Sequence, residues 1–416
     1  MERRDALKGS AVSDDLSDVN SHERGLRVLA LAAVVLALVL SVVFGHFATN
    51  STLACGLAGA VFLHLGIRPD FRQIQWAVMV GAGYALLHFL PFTQFPTSPL
   101  PIALTIAACA GLGGITVLAY QGLILQSEPD IAAFQDALIV PLFSIGAGAA
   151  LRAAQTFWPK TFDLYLYAFD ASLRVSPAAA VNRWWQALPL LAILCSGAYA
   201  GILIFPALYR AWAVHSGIGR EPSVLRSFLV AGLFGLVLNQ CCPAAGPRYL
   251  FPGEFPDQMP ALGTLTVAMT AVAGVRSAIP SLQTTWALLV WWSAWRLSWA
   301  ARLAASFIVI FILLSAVGSG DHYLVDLIVA VPFTLGVEGL CRRGYVAAGL
   351  GFGLTLAWFI LLRSGFRPHT PEIGWLLVAG TFLVCVACQI PLYRGMHTEE
   401  GLALSSRLTA MTAEKR

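Results

Sequence analysis

Charge is scarce in this chain. Only 12% of its 416 residues are Asp, Glu, Lys or Arg, against roughly a quarter in soluble proteins, while 58% are hydrophobic. That shortage excludes an ordinary soluble domain. Lys and Arg total 26 against 22 Asp and Glu, and no basic run with interleaved aromatics is present, so nucleic acid is not expected as a partner. Cysteine is sparse too: eight in a chain this long do not make a disulfide framework. Cys385 and Cys388 form a CxxC inside the last apolar run, where buried structural thiols are expected rather than metal ligands. Cys241 and Cys242 lack His or Cys companions at zinc spacing. The sequence therefore points to no metal site and no cofactor.

What the chain has in abundance is apolar runs that reach, or nearly reach, the length needed to cross about 30 Å of hydrocarbon. They fall at Val28–Gly45, Thr52–Gly66, Trp76–Phe92, Ile102–Leu125, Ile131–Leu151, Leu188–Tyr209, Ser227–Leu238, Leu282–Trp295, Leu303–Val317, Tyr323–Leu340, Tyr345–Leu362 and Trp375–Leu392. The expected fold is all-α, a polytopic membrane protein of about twelve transmembrane helices. Val28–Gly45 lacks a small-residue cleavage site and reads as a retained helix. The expected organisation is a polar cytoplasmic tail over 1–25, accessory helices over 26–155, a membrane core over 156–345 and C-terminal helices with a tail over 346–416.

Loop charge orients the helices. With the N-terminus inside, the inward connections collect Arg68 and Arg72, Arg210, Arg220 and Arg226, Arg296 and Arg302, Arg342 and Arg343, and Arg394 and Arg407, as the positive-inside rule favours. The outward exceptions are the long segment with Arg152, Lys160, Arg174 and Arg183, and the pair Arg363 and Arg367. Both termini are then cytoplasmic, in a plasma or inner membrane. The segment Cys241–Ser281 and the turn before His322 share the extracytoplasmic side. Within that segment, Ala261–Val275 is too short to cross twice and reads as a re-entrant or interfacial element.

Three stretches on that side carry the chemistry. In Ser319-Gly320-Asp321-His322-Tyr323-Leu324-Val325-Asp326, a histidine and a carboxylate stand four residues apart at the mouth of an apolar helix. An ionisable pair is costly there, which marks a functional site. On a helix the two would share a face, where the carboxylate orients the imidazole and stabilises its positive form. Pro243 to Tyr249 contributes Arg248, and Arg276 to Gln283 contributes Arg276 and Ser281. Both arginines are planar donors suited to phosphate oxygens. Ser281 stands where a hydroxyl and a helix N-terminus could hold an anion, with Pro280 in the helix's first turn.

At these residues the chain resembles the type 2 phosphatidic acid phosphatase superfamily, in particular its inositol phosphorylceramide synthase-like branch. The blocks appear in order: a Pro-rich block before an aromatic, Pro280-Ser281-Leu282-Gln283 opening a helix, and His322-Tyr323-x-x-Asp326 opening another. The resemblance extends from the Asp163–Asp170 approach to Leu340. It implies phosphoryl transfer from a lipid-linked phosphate through a phosphohistidine on His322, oriented by Asp326. It also implies a phosphate clamp of Arg248, Ser281 and Arg276, with membrane lipids as surroundings. A Ser-Arg pair ahead of the nucleophile is absent, since Ser315-Ala316 stands there.

Gln283 departs from the family pattern, which has a proton-transferring histidine at this position. An amide cannot transfer protons near neutral pH, and losing an acid or base typically removes about 10²–10⁴-fold in rate. The loss is severe for an alkoxide leaving group and mild for a phosphate one. Three explanations stand: an engineered inactive variant, a natural lipid-binding pseudoenzyme, or an enzyme for a diphosphate-linked lipid. Asp136 and Glu338, the other intramembrane carboxylates, raise a transporter as a further alternative.

Overall fold

The computed structural model describes residues 51–89, 99–217 and 224–390, with Leu36 and Leu392 besides. Apart from Leu36, the Val28–Gly45 run lies outside the described residues, as do the two expected tails. The contacts divide the chain into two units, Met1–Leu142 and Phe143–Arg416.

In the first unit, helices α1 (Ser51–Gly66), α2 (Phe71–Phe89) and α3 (Pro99–Ala119) pack together, α3 against both of the others. The approach is close. A Cβ on Gly111 would lie 1.8 Å from the Leu57 carbonyl oxygen, so only glycine lets α3 lie this near α1. A π-helical turn, Tyr120–Ile124, ends α3. Helix α4 (Glu128–Phe157) carries Pro141 in its interior, next to the boundary between the units.

The second unit takes in the end of α4 and continues with a two-residue strand β1 (Lys160–Thr161), then α5 (Asp163–Ser172) and α6 (Pro177–Ala187). Two helices follow, α7 (Pro189–Ala200) and α8 (Phe205–His215), bent by 77° where a single span was expected over Leu188–Tyr209. Pro206 at the start of α8 suits a new helix and not a continued one. Then come α9 (Val224–Cys241), the one-turn α10 (Pro247–Leu250), strand β2 (Thr270–Ala271), α11 (Leu282–Ala294), α12 (Trp299–Gly318), α13 (Leu324–Cys341), α14 (Tyr345–Arg363) and α15 (Pro371–Ile390).

Among the described residues seven helices are long and apolar enough to cross a membrane, or eight if the bent pair is one span. That is fewer than the expected twelve. Helix α1 has 16 residues and α11 has 13, so at about 1.5 Å per residue both fall short of the hydrocarbon thickness. The short helix α11 is covered by protein on several sides, packing on α9, α12 and α13.

The expected element at Ala261–Val275 is mostly extended chain, with a 3₁₀ turn at Leu262–Thr264 and β2, which pairs antiparallel with β1. Arg276 locks this ribbon. Its guanidinium donates to the carbonyl oxygens of Gly274 (2.5 Å), Trp158 (3.2 Å) and Pro159 (3.4 Å). The core of the unit lies under α5, where Leu166 and Phe169 meet Ile279, Val325, Val329 and Trp358. At the far end of α13, Glu338 pairs with Arg342 and accepts from the Ser227 hydroxyl at 3.2 Å.

Candidate functional site

Helix α5 organises the site through two carboxylates seven residues apart, a spacing that puts both on one helix face. Asp163 accepts from the backbone N–H groups of Ala245 (3.1 and 3.0 Å) and Gly246 (2.8 Å) and from the Tyr323 hydroxyl (2.9 Å). It thereby fixes the loop that precedes α10. Asp170 accepts from the N–H groups of Leu324 (2.6 Å) and Val325 (3.0 Å), two of the donors a helix start leaves unpaired. Asp326 takes another, its Oδ2 accepting from Tyr323 N–H at 2.7 Å. Burial pushes the Asp163 carboxyl above the usual range against the pull of these three donors and of the Thr161 side chain. Burial, and then the Asp326 carboxylate, push Asp170 up to about 8.

The three stretches singled out in the sequence meet at one end of the bundle, joined by backbone hydrogen bonds. Ala278 N–H donates to the Ala244 carbonyl at 3.0 Å, Arg248 N–H to Gly320 at 3.2 Å and Ser281 N–H to Asp326 at 3.3 Å. Gly246 has φ +111°, and a Cβ there would lie 2.5 Å from the Asp321 carbonyl oxygen. Any other residue would therefore push the loop off the His322 turn.

His322 lies ahead of α13 and not on it, since Tyr323 is the N-cap. It is buried, 2% exposed. Its Nδ1 donates to the Ala278 carbonyl oxygen at 2.9 Å. A carbonyl only accepts, so Nδ1 holds a proton and Nε2 is the nitrogen free to bear a lone pair. Asp326 Oδ2 stands 3.6 Å from Nδ1, beyond hydrogen-bonding distance. The ring's hydrogen-bonded anchor is thus the Ala278 carbonyl, where the sequence suggested Asp326. The carboxylate acts on the ring through its charge.

Gln283 Oε1 stands 3.1 Å from His322 Nε2. An oxygen facing Nε2 suits the charged imidazolium. A half turn of the amide presents an N–H group instead, which suits the neutral ring. Gln283 therefore serves either protonation state while moving no proton itself.

The other expected residues are distributed differently. Arg248 pairs with Asp321 Oδ1 at 2.7 Å, with its guanidinium carbon 4.5 Å from the Tyr249 ring centroid. Ser281 is fully buried as the N-cap of α11, its Oγ accepting from Thr284 N–H at 3.3 Å. Pro280 precedes that cap and so lies outside the first turn that the sequence suggested for it. Arg276 spends donors on three carbonyls, as described above, which makes it a brace of the ribbon. Tyr199, which the sequence did not single out, presents its ring to His322 at 6.4 Å between centroids and 67° between planes.

A cavity of about 270 Å³ opens beside His322. Asp170, Arg174 and Ser176 supply its other polar lining, while Val175, Phe255 and Met259 are among its apolar walls.

Residues 164–340 match the family model of the PAP2 superfamily. No curated protein and no solved structure matches the chain.

Proposed function

We propose that this protein is an integral membrane phosphotransferase or phosphatase acting on a lipid-linked phosphate, with His322 Nε2 as nucleophile. The match over 164–340 fits a lipid phosphatase or phosphotransferase in general terms. The observation that carries the finer reading is the pairing of His322 Nδ1 with the Ala278 carbonyl. It fixes one tautomer and leaves Nε2, beside Gln283, as the basic nitrogen. Attack on phosphorus forms an N–P bond as the bond to the leaving oxygen breaks. Asp326, 3.6 Å from Nδ1, offsets the positive charge that the ring gains. Arg248 is the clamp residue poised near this turn, released to the phosphate when Asp321 gives it up.

Gln283 selects the leaving group. An alkoxide leaves poorly without a proton, whereas a phosphate leaves as a stable anion. The favoured substrate class is therefore a lipid diphosphate, handled on the extracytoplasmic side. Water as acceptor makes the protein a phosphatase; a lipid or sugar hydroxyl makes it a transferase. The competing reading, a lipid-binding pseudoenzyme, draws on the same contact, because Gln283 occupies the nitrogen that must attack.

Phosphate release from a panel of lipid mono- and diphosphates, by this chain and by Gln283→His, separates the two. The expected result is turnover of diphosphates by the unaltered protein, with monophosphate turnover rising about a hundredfold or more in the variant, as an added acid or base supplies (about 10²–10⁴-fold). No turnover of any substrate by either protein would defeat the enzyme reading.

A further inference from the structure

We propose that the cavity beside His322 is a subsite for the leaving phosphate of a lipid diphosphate, and that Arg174 is the cation that binds it. The proposal rests on the phosphotransfer reading and adds a residue to it. A diphosphate brings more negative charge than the expected clamp can meet. Arg276 directs its guanidinium to the carbonyls of Trp158, Pro159 and Gly274, and Arg248 is ion-paired to Asp321. Of the described residues lining the cavity, Arg174 is the one arginine, and there is no lysine among them. It opens on the same space as His322.

The backbone supports that placement. Arg174 follows α5 with φ +53°, and its N–H donates to the Ala171 carbonyl at 3.2 Å. This left-handed residue turns the chain from α5 toward α6 at the cavity wall. Ser176 adds a hydroxyl to the lining, and Val175, Phe255 and Met259 add apolar surface suited to the first carbons of a lipid chain. Asp170, the lining carboxyl, is pushed up to about 8, so below that pH it is protonated and does not repel an anion. Glu372 lies within electrostatic reach of Arg174 and is exposed to water, where its influence is screened.

The chemistry balances without a proton donor at position 283. The Nε2 lone pair forms a bond to the terminal phosphorus, and the bond from that phosphorus to the bridging oxygen breaks. The bridging oxygen keeps the electron pair and departs as part of a lipid monophosphate. The charge gathering on that oxygen is what Arg174 offsets, as a guanidinium bound to phosphate oxygens does. An incoming water then forms an O–P bond and releases its proton to solvent. The N–P electron pair returns to Nε2.

The test compares the full-length protein with Arg174→Gln and Arg174→Lys, in detergent. Phosphate release from a C15 prenyl diphosphate and from phosphatidic acid is measured, the latter also in a Gln283→His background. The readout is the ratio of kcat/KM for diphosphate to that for monophosphate. Arg174→Gln is expected to lower the ratio 10- to 100-fold and Arg174→Lys to restore part of it. An unchanged ratio would overturn the proposal. If the unaltered protein turns over neither substrate, the phosphotransfer reading fails, and the subsite is judged by binding alone. A methylene-bridged prenyl diphosphate should then bind Arg174→Gln at least tenfold more weakly, and equal affinity would overturn the subsite as well. Because Arg174 is exposed on a turn, unchanged thermal unfolding of the variants excludes loss of fold as the cause.

Discussion

The guanidinium of Arg248, the proposed phosphate clamp, is held by Asp321 at 2.7 Å, and Asp321 in turn by the Ser319 hydroxyl at 2.9 Å. Both partners of the ion pair are partly exposed, at 42% and 22%, so the pair itself is weak and a dianion can displace it. Asp321→Asn removes the competitor and leaves Arg248 in place. Its expected effect is a three- to tenfold tighter inhibition by orthovanadate, with no loss of thermal stability. Weaker inhibition would mean that Asp321 positions Arg248 rather than competes for it. At this scale the sequence is legible where function needs local spacing. His322, Asp326, Gln283 and Ser281 stand in short stretches that announce a helix start with a titratable group beside it. Arg276 was not legible in the same way. Its partners are the carbonyls of Trp158 and Pro159, which become its neighbours only when β1 and β2 pair. Arg174 lies in an unremarkable turn, and nothing in its own sequence neighbourhood announces a cavity.

The start of α13 is the element on which the geometry of His322 depends. Its first N–H groups are bound by Asp170 from α5 and by Asp326 from within. Asp170 also gives the site a pH dependence whose sign can be worked out. Its carboxyl is raised from 3.8 to about 8, first by burial and next by Asp326. Between those two values the folded protein retains a proton that the unfolded chain has released. That contribution to stability is complete below about pH 4 and is lost as pH rises through about 8. Asp326 acts on Asp170 through its charge, and Arg174 and His322 line the same cavity as Asp170. Asp170→Asn removes the titration and gives up one of the two accepted hydrogen bonds. The variant should be less stable than the unaltered protein at pH 5, with the gap narrowing by pH 9, as read by thermal unfolding in detergent. A gap that stays constant across that range would show that Asp170 is ionised throughout. Helix α5 itself was hard to read as a helix, being short and lying in a long polar connection. Its two carboxylates at a seven-residue spacing were the available signal, and their roles emerge only once the loop at Ala245 and the start of α13 are folded against them.

For the whole molecule, the apolar runs located the helices well, because burial in hydrocarbon leaves a composition signal that local context does not erase. Among the described residues they named more spans than there are helices long and apolar enough to cross. A run such as Leu282–Trp295 is apolar because protein surrounds it, and composition alone does not separate that from lipid. The bend between α7 and α8 was equally hidden, since a continuous apolar run spells a straight helix and a broken one alike. Sidedness is open to a direct test. Glu254 is exposed on the loop after α10, near the site, and Arg343 is exposed beyond the opposite end of α13. In a Cys241→Ser background, a membrane-impermeant thiol reagent on intact cells should label Glu254→Cys and spare Arg343→Cys until the membrane is opened. The reverse pattern would place the His322 pocket on the cytosolic side.

Helix α5 grips the loop before α10 with one carboxylate and the start of α13 with the other. The arginine-bearing loop and the imidazole-bearing turn are therefore joined by a short rod as well as by the Arg248 N–H to Gly320 hydrogen bond between them. A tilt of that rod would shift both together and alter their distance from the lipid head groups while sparing their distance from each other. Under the proposed function, the reacting groups would then keep their mutual geometry whatever their depth against the bilayer surface.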